Sequence, residues 1–165
     1  MQTLFTRSLL LLLLTVLLAG CGFNLRNSNA LAQQGPIYLA GIDQYEALYR
    51  TLKHSMTAAG VTLSPSKQQA KTVLNMRDHG ESQQVITVDS RGKATEYMLI
   101  RKVTVNLQTP GGKELVGDQE VGVRRNWIEA GKTGLAGRRE ARELREDMLQ
   151  ELSFSIMRVL DYSLR

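Results

Sequence analysis

Few residues of this chain have a type and spacing that could do chemistry. The first is Cys21, the one thiol, which closes the stretch Leu17-Leu18-Ala19-Gly20-Cys21 behind a leucine run. A thiol can take an acyl or thioether group. With no second cysteine it can form neither an internal disulfide nor a redox pair. The two histidines, His54 and His79, stand far apart. A metal site needs more ligands at short spacing, so no metal site is expected. Asp78, Glu81 and Asp89 are close in sequence, but nothing marks two of them as an acid/base pair. No serine lies in a nucleophile-elbow sequence, and no glycine-rich phosphate loop joins a strand to a helix. No cofactor and no enzymatic reaction are therefore expected. Basic residues gather at Ser90-Arg91-Gly92-Lys93, at Gly131-Lys132 and at Arg138-Arg139. The planar fork of arginine suits phosphate. For any one of them, a solubilising loop residue is the plainer reading.

The residues before Cys21 say what its chemistry is. Arg7 precedes a ten-residue apolar run, Leu9–Leu18, followed by the small residues Ala19 and Gly20. A membrane-spanning helix needs about 20 apolar residues. A charged start, a short apolar centre and small residues at a cut point describe a secretory signal peptide. Leu-Ala-Gly-Cys resembles the bacterial lipobox, in which the thiol is acylated and the chain is cut before it. The resemblance implies residues 1–20 as a lipoprotein signal peptide, Cys21 as the lipid attachment site and a mature chain beginning there. More than one acyl chain gives stable membrane attachment. Gly22, where an aspartate would tend to retain the protein in the inner membrane, implies sorting to the outer membrane, facing the periplasm.

Composition narrows the rest. The 165 residues carry 21 basic and 16 acidic side chains, and the balance stays positive without Arg7. Such a surface suits anionic, phosphate-rich partners. Export disfavours nucleic acid. The mature chain has the size of one domain and must be held by packing alone.

The elements that position these residues can be read from periodicity. Gly22–Gly35 is polar and aperiodic, so residues 21–35 are expected to form a lipidated tether and 36–165 a single domain. Pro36–Ile42 suits a short buried strand. Asp43 and Glu46 have capping-box spacing, and Tyr45, Leu48, Leu52, Met56 and Ala59 form one helical face up to the stop at Gly60. No helical period exists from Thr72 to Trp127. A strand region begins near Thr72, is interrupted at Gly80 and resumes. Beyond the Arg91–Lys93 turn, Tyr97, Leu99, Val103, Val105 and Leu107 share a two-residue period broken only by Arg101, and Lys102, Thr104, Asn106 and Gln108 hold the alternate positions. This is a strand with one covered face. Thr109–Lys113 is turn chemistry, and a strand from about Leu115 to Trp127 carries Val121, Val123 and Trp127 in phase. A glycine-rich loop precedes a last helix from Arg138. There Leu144, Met148, Leu152, Ile156 and Val159 face one way, with Arg142, Arg145, Glu146 and Glu151 elsewhere. The expected fold is α+β: two helices packed on one face of a mostly antiparallel four-stranded sheet, in the order β-α-β-β-β-α. The other, polar face is left exposed or meets a partner.

Cys21-Gly22-Phe23 with Leu25 and Arg26, the element order, and Thr95-Glu96-Tyr97 opening the long strand together resemble the LPS-assembly lipoprotein (LptE) family. Asn24 stands where the family often has histidine. The resemblance implies a non-enzymatic outer-membrane lipoprotein. It would plug and help assemble an LptD-type β-barrel and assist insertion of lipopolysaccharide into the outer leaflet. A globule of about 15 Å radius of gyration needs a very wide barrel, whose polar lumen suits the polar sheet face. The family's lipopolysaccharide contact through basic residues implies Arg91, Lys93 and Arg138 as binding residues. The alternative is a periplasmic outer-membrane lipoprotein that scaffolds or activates a cell-wall enzyme.

Overall fold

The computed structural model describes residues 30–128 and 135–165. A single helical turn, α1 (Ala30–Gln33), leads into β1 (Ile37–Ala40) and helix α2 (Ala47–Ala58). Three long strands follow, β2 (Thr72–Val88), β3 (Ala94–Gln108) and β4 (Glu114–Ile128), and helix α3 (Leu135–Ser163) closes the chain. The sheet order is β1-β2-β3-β4. β1 runs parallel to β2, and the other pairs are antiparallel. This is the expected α+β arrangement of two main helices on a four-stranded sheet.

The core lies between the helices and one sheet face. Leu48, Leu52 and Met56 of α2 and Met148, Leu152, Ile156 and Leu160 of α3 close over Leu74, Leu99, Val103, Val105 and Leu107, all of them buried. The two-residue alternation of β3 and the three-to-four spacing of α3 thus converge on one apolar layer. At the end of α2, Val61 N–H donates to Met56 C=O and Gly60 N–H to Thr57 C=O. With Gly60 at φ 79°, this pair of bonds is the Schellman closure that the glycine stop implied.

Four expectations change. No capping box forms: α2 starts at Ala47 with Glu46 at its N-cap and no side-chain capping bond. Asp43 instead accepts the Tyr45 N–H in an Asx turn at 2.8 Å. Tyr45 therefore lies outside the helix and is exposed rather than on its apolar face. β2 is one continuous strand, because at Gly80 (φ 77°) the chain does not break. The pairing only slips there, between Asp78↔Val103 and Glu81↔Arg101, as at a bulge. The polar tether also ends before Gly35. Leu31 of α1 is 1% exposed and belongs to the core, its N–H bonded to Asp161. Lys71 Nζ and Thr72 Oγ1 hold the Gln33 and Gln34 carbonyls at 2.8 and 3.0 Å.

The topology gives the molecule two ends. One holds α1, the β3–β4 turn and the end of α3. The other holds the β2–β3 turn, the end of β4 and the start of α3. β3, with 15 residues, separates them by about 50 Å.

Candidate functional site

The β2–β3 turn is built by Asp89. Its backbone N–H donates to Lys93 C=O and its own C=O accepts from Gly92 N–H. Its carboxylate accepts the Arg91 and Lys93 N–H groups, both at 2.9 Å. Gly92 takes φ 78°, a left-handed conformation that glycine adopts without cost. The β3–β4 turn repeats this design with Thr109, Lys113 and Gly112. The backbone of the tip is thus fixed while the Arg91 and Lys93 side chains project into solvent, with no ion-pair partner among the described residues. Two cations on a rigid turn can meet a phosphate without first breaking internal pairs.

α3 begins at Leu135, three residues before the expected start, so Arg138 lies within its first turn. Near the positive end of a helix dipole, an exposed arginine adds to a site that favours anions. Arg138 lies at the same end of the molecule as the Arg91–Lys93 turn but on the helical layer, so the structure unites two of the three cations on one turn. Lys132 and Cys21 lie outside the described residues. His54 is an exposed residue of α2, and His79 bonds Thr104 Oγ1 at 2.8 Å on the open sheet face. No group of residues able to hold a metal occurs among the described residues. No helix there is long and apolar enough to cross a membrane.

The middle of the open face is polar, and several of its side chains pair with one another. Asn75 donates to Asn106, which donates to Asp118, at 2.8 and 2.7 Å. Lys102 reaches Glu120 at 2.7 Å. That hydrogen bond and the lysine's charge hold the Glu120 carboxyl below its usual range. Nearer the tip, Glu96 accepts from Thr87 and Asn126. Such a face can lie against a polar wall without burying an unsatisfied group.

On the helix-covered face the core ends in charge. Asp78 pairs with Arg101, Glu81 with Arg145 of α3 at 2.9 Å, and Arg125 with Glu151 of α3. Beyond this belt, toward the β2–β3 turn, Tyr97 stacks on Trp127 at 5.7 Å and Val85 is exposed. Sequence inspection missed these pairs. The signal was Arg101 itself, in phase with an apolar face, because a charge half-buried there requires a partner.

At the opposite end, burial raises the Asp161 carboxyl. Hydrogen bonds from Arg165 and from the Leu31 and Ala30 amides outweigh it and hold the group below its usual range. That carboxylate fastens α1 to α3.

The family model described as lipopolysaccharide-assembly LptE matches residues 35–160. An LPS-assembly lipoprotein LptE of Yersinia pestis (strain Pestoides F) is 29% identical over 156 residues, covering 93% of this chain and 74% of that one. The Yersinia pseudotuberculosis protein of the same name matches equally. Among solved structures, rare lipoprotein B of Shewanella oneidensis superposes with a TM-score of 0.66 at 22% identity, covering 77% of this chain and 94% of that one. A lipoprotein B of Nitrosomonas europaea superposes at 0.70 and 18% identity, covering 85% and 90%. The structures share the fold, and the match over residues 35–160 shows that the chain belongs to the lipopolysaccharide-assembly LptE family.

Proposed function

We propose that this protein is an outer-membrane lipoprotein of lipopolysaccharide assembly, anchored at Cys21 on the periplasmic side. Its domain would occupy the lumen of an LptD-type β-barrel, assist its assembly and block leakage through it. Family membership supports the assembly role. The observation that carries the plug reading is the uncovered sheet face, on which Asn75, Asn106 and Asp118, and Lys102 and Glu120, are paired with one another. That stretch needs no apolar partner, and a barrel lumen supplies a polar wall. Arg91, Lys93 and Arg138 would meet lipopolysaccharide phosphates as the lipid passes.

Gentle detergent extraction of outer membranes with a tag after Arg165, followed by mass spectrometry, tests the partner. One large barrel protein at equal stoichiometry is expected. A cell-wall synthase in its place would favour the scaffold reading. The site is tested separately with purified protein. Arg91→Glu with Lys93→Glu should weaken lipopolysaccharide binding roughly tenfold or more, since two charge-assisted contacts become repulsive. Unchanged binding would remove these residues from the site.

A further inference from the structure

We infer that the end face formed by α1, the β3–β4 turn and the end of α3 is a contact surface for anionic phospholipid headgroups. The inference rests on lipid attachment at Cys21. The described chain begins at Ala30, nine residues after Cys21, and nine residues span at most about 30 Å. Leu31 is locked into the core and bonded to Asp161, so this tether starts from a fixed point on that face. The opposite tip lies about 50 Å off along β3, farther than the tether reaches.

The same face is basic. It carries Lys67, Lys71, Lys113, Arg158 and Arg165 against Glu114 and Asp161. Asp161 is already engaged by Arg165 and the α1 amides. Lys67, Lys113 and Arg158 are exposed and have no ion pair among the described residues. Lys71 holds the Gln33 carbonyl through one ammonium hydrogen and keeps others for a phosphate. Cations beside a lipid anchor gain affinity for an anionic leaflet. The tether keeps them within about 30 Å of the leaflet, close enough for the face to settle onto the headgroups, where the attraction acts over about a Debye length. The face would stand on the headgroups, and the Arg91–Lys93 tip would project away from the leaflet that holds the anchor.

The lipidated, full-length protein can be placed in vesicles of phosphatidylcholine with or without phosphatidylglycerol. Because Cys21 is the one native cysteine, Gly111→Cys and Ser90→Cys each give a single labelling site, both exposed. Energy transfer to a headgroup acceptor should be strong from Gly111→Cys and weak from Ser90→Cys when phosphatidylglycerol is present. Lys67→Glu with Lys113→Glu, or vesicles of phosphatidylcholine alone, should abolish the contrast. Equal transfer from both sites with phosphatidylglycerol present overturns the inference. So does a contrast that survives the charge reversals and the neutral vesicles. These outcomes leave the barrel reading untouched, because no barrel is in the assay. Protein that does not stay on vesicles at all would show that the anchor itself is missing, and the inference falls with it.

Discussion

Truncating Leu31 to alanine should destabilise a domain whose main elements begin later in the chain. Leu31 is 1% exposed and sits in a four-residue turn just outside the sheet. Removing its isobutyl body strips the apolar area of about three carbon groups, at about 0.8 kcal/mol each. A residual cavity adds to that, and buried leucine-to-alanine changes cost about 2–5 kcal/mol. α1 is anchored by Leu31, the Asp161 bond and the Gln33 and Gln34 carbonyl contacts. Losing the first of these can release the turn instead of leaving a cavity, which caps the cost. We expect about 3 kcal/mol, or a fall of about 10 °C in Tm for a domain of this size. Urea melts of the detergent-solubilised protein followed by circular dichroism would read it. Val85→Ala, at an exposed position, serves as the control and should shift stability by about 0.5 kcal/mol or less. A Leu31→Ala protein as stable as that control would refute the assignment of α1 to the core and restore the tether through Gly35.

Three further outcomes follow from the geometry. Gly41→Ala should cost several kcal/mol in the same melts, because φ is 95° and an added Cβ would lie 2.0 Å from the Met76 carbonyl oxygen. Neutral behaviour would mean that β1 does not pass β2 as described. Asp78→Ala should cost about 3 kcal/mol by leaving Arg101 half-buried without its carboxylate. The double change with Arg101→Met should recover part of that loss, so purely additive effects in the cycle would deny the pair any role. The folded-state pKa of Asp161 lies below its unfolded value. Its contribution is therefore complete above about pH 4 and is lost as pH falls through the depressed value. Asp161→Ala should flatten the pH dependence of stability below about pH 4 and leave its slope near pH 7 unchanged; an unaltered acid limb would refute the clasp.

The parts legible in the sequence are those where one residue type answers to one local rule. Alternation in Tyr97–Leu107 placed β3, three-to-four spacing placed α2 and α3, and Gly60 closed α2 as expected. What was not legible depends on distant neighbours. Leu31 reads as one apolar residue in a polar stretch, and only the end of α3 makes it a core residue. Asp43 and Glu46 have the spacing of a capping box, yet the carboxylate is satisfied sooner by the Tyr45 amide. Gly80 reads as an interruption, but the ladder with β3 continues past it and absorbs the extra residues as a bulge. At the candidate site the Arg91–Lys93 turn was fully local and came out as read. The last helix was expected from Arg138, because Gly131, Gly134 and Gly137 before it mask the start at Leu135.

The two sheet edges differ in a way that bears on the protein's survival before it meets any partner. β1 is short, and Thr62–Ser64 run alongside it, bonded to Ile37 on both its N–H and C=O. β4 is a 15-residue edge with no strand beyond it among the described residues. An edge of that length is a template on which a second chain can add. Here its open-face side chains include Asp118, Glu120 and Arg124, and its pairing slips between Gln119 and Val116. Charge and a local twist discourage strand-on-strand growth. A chain with so long an open edge gains from that resistance to fibre formation. Replacing Glu120 and Arg124 with valine would remove it while leaving the folded core untouched.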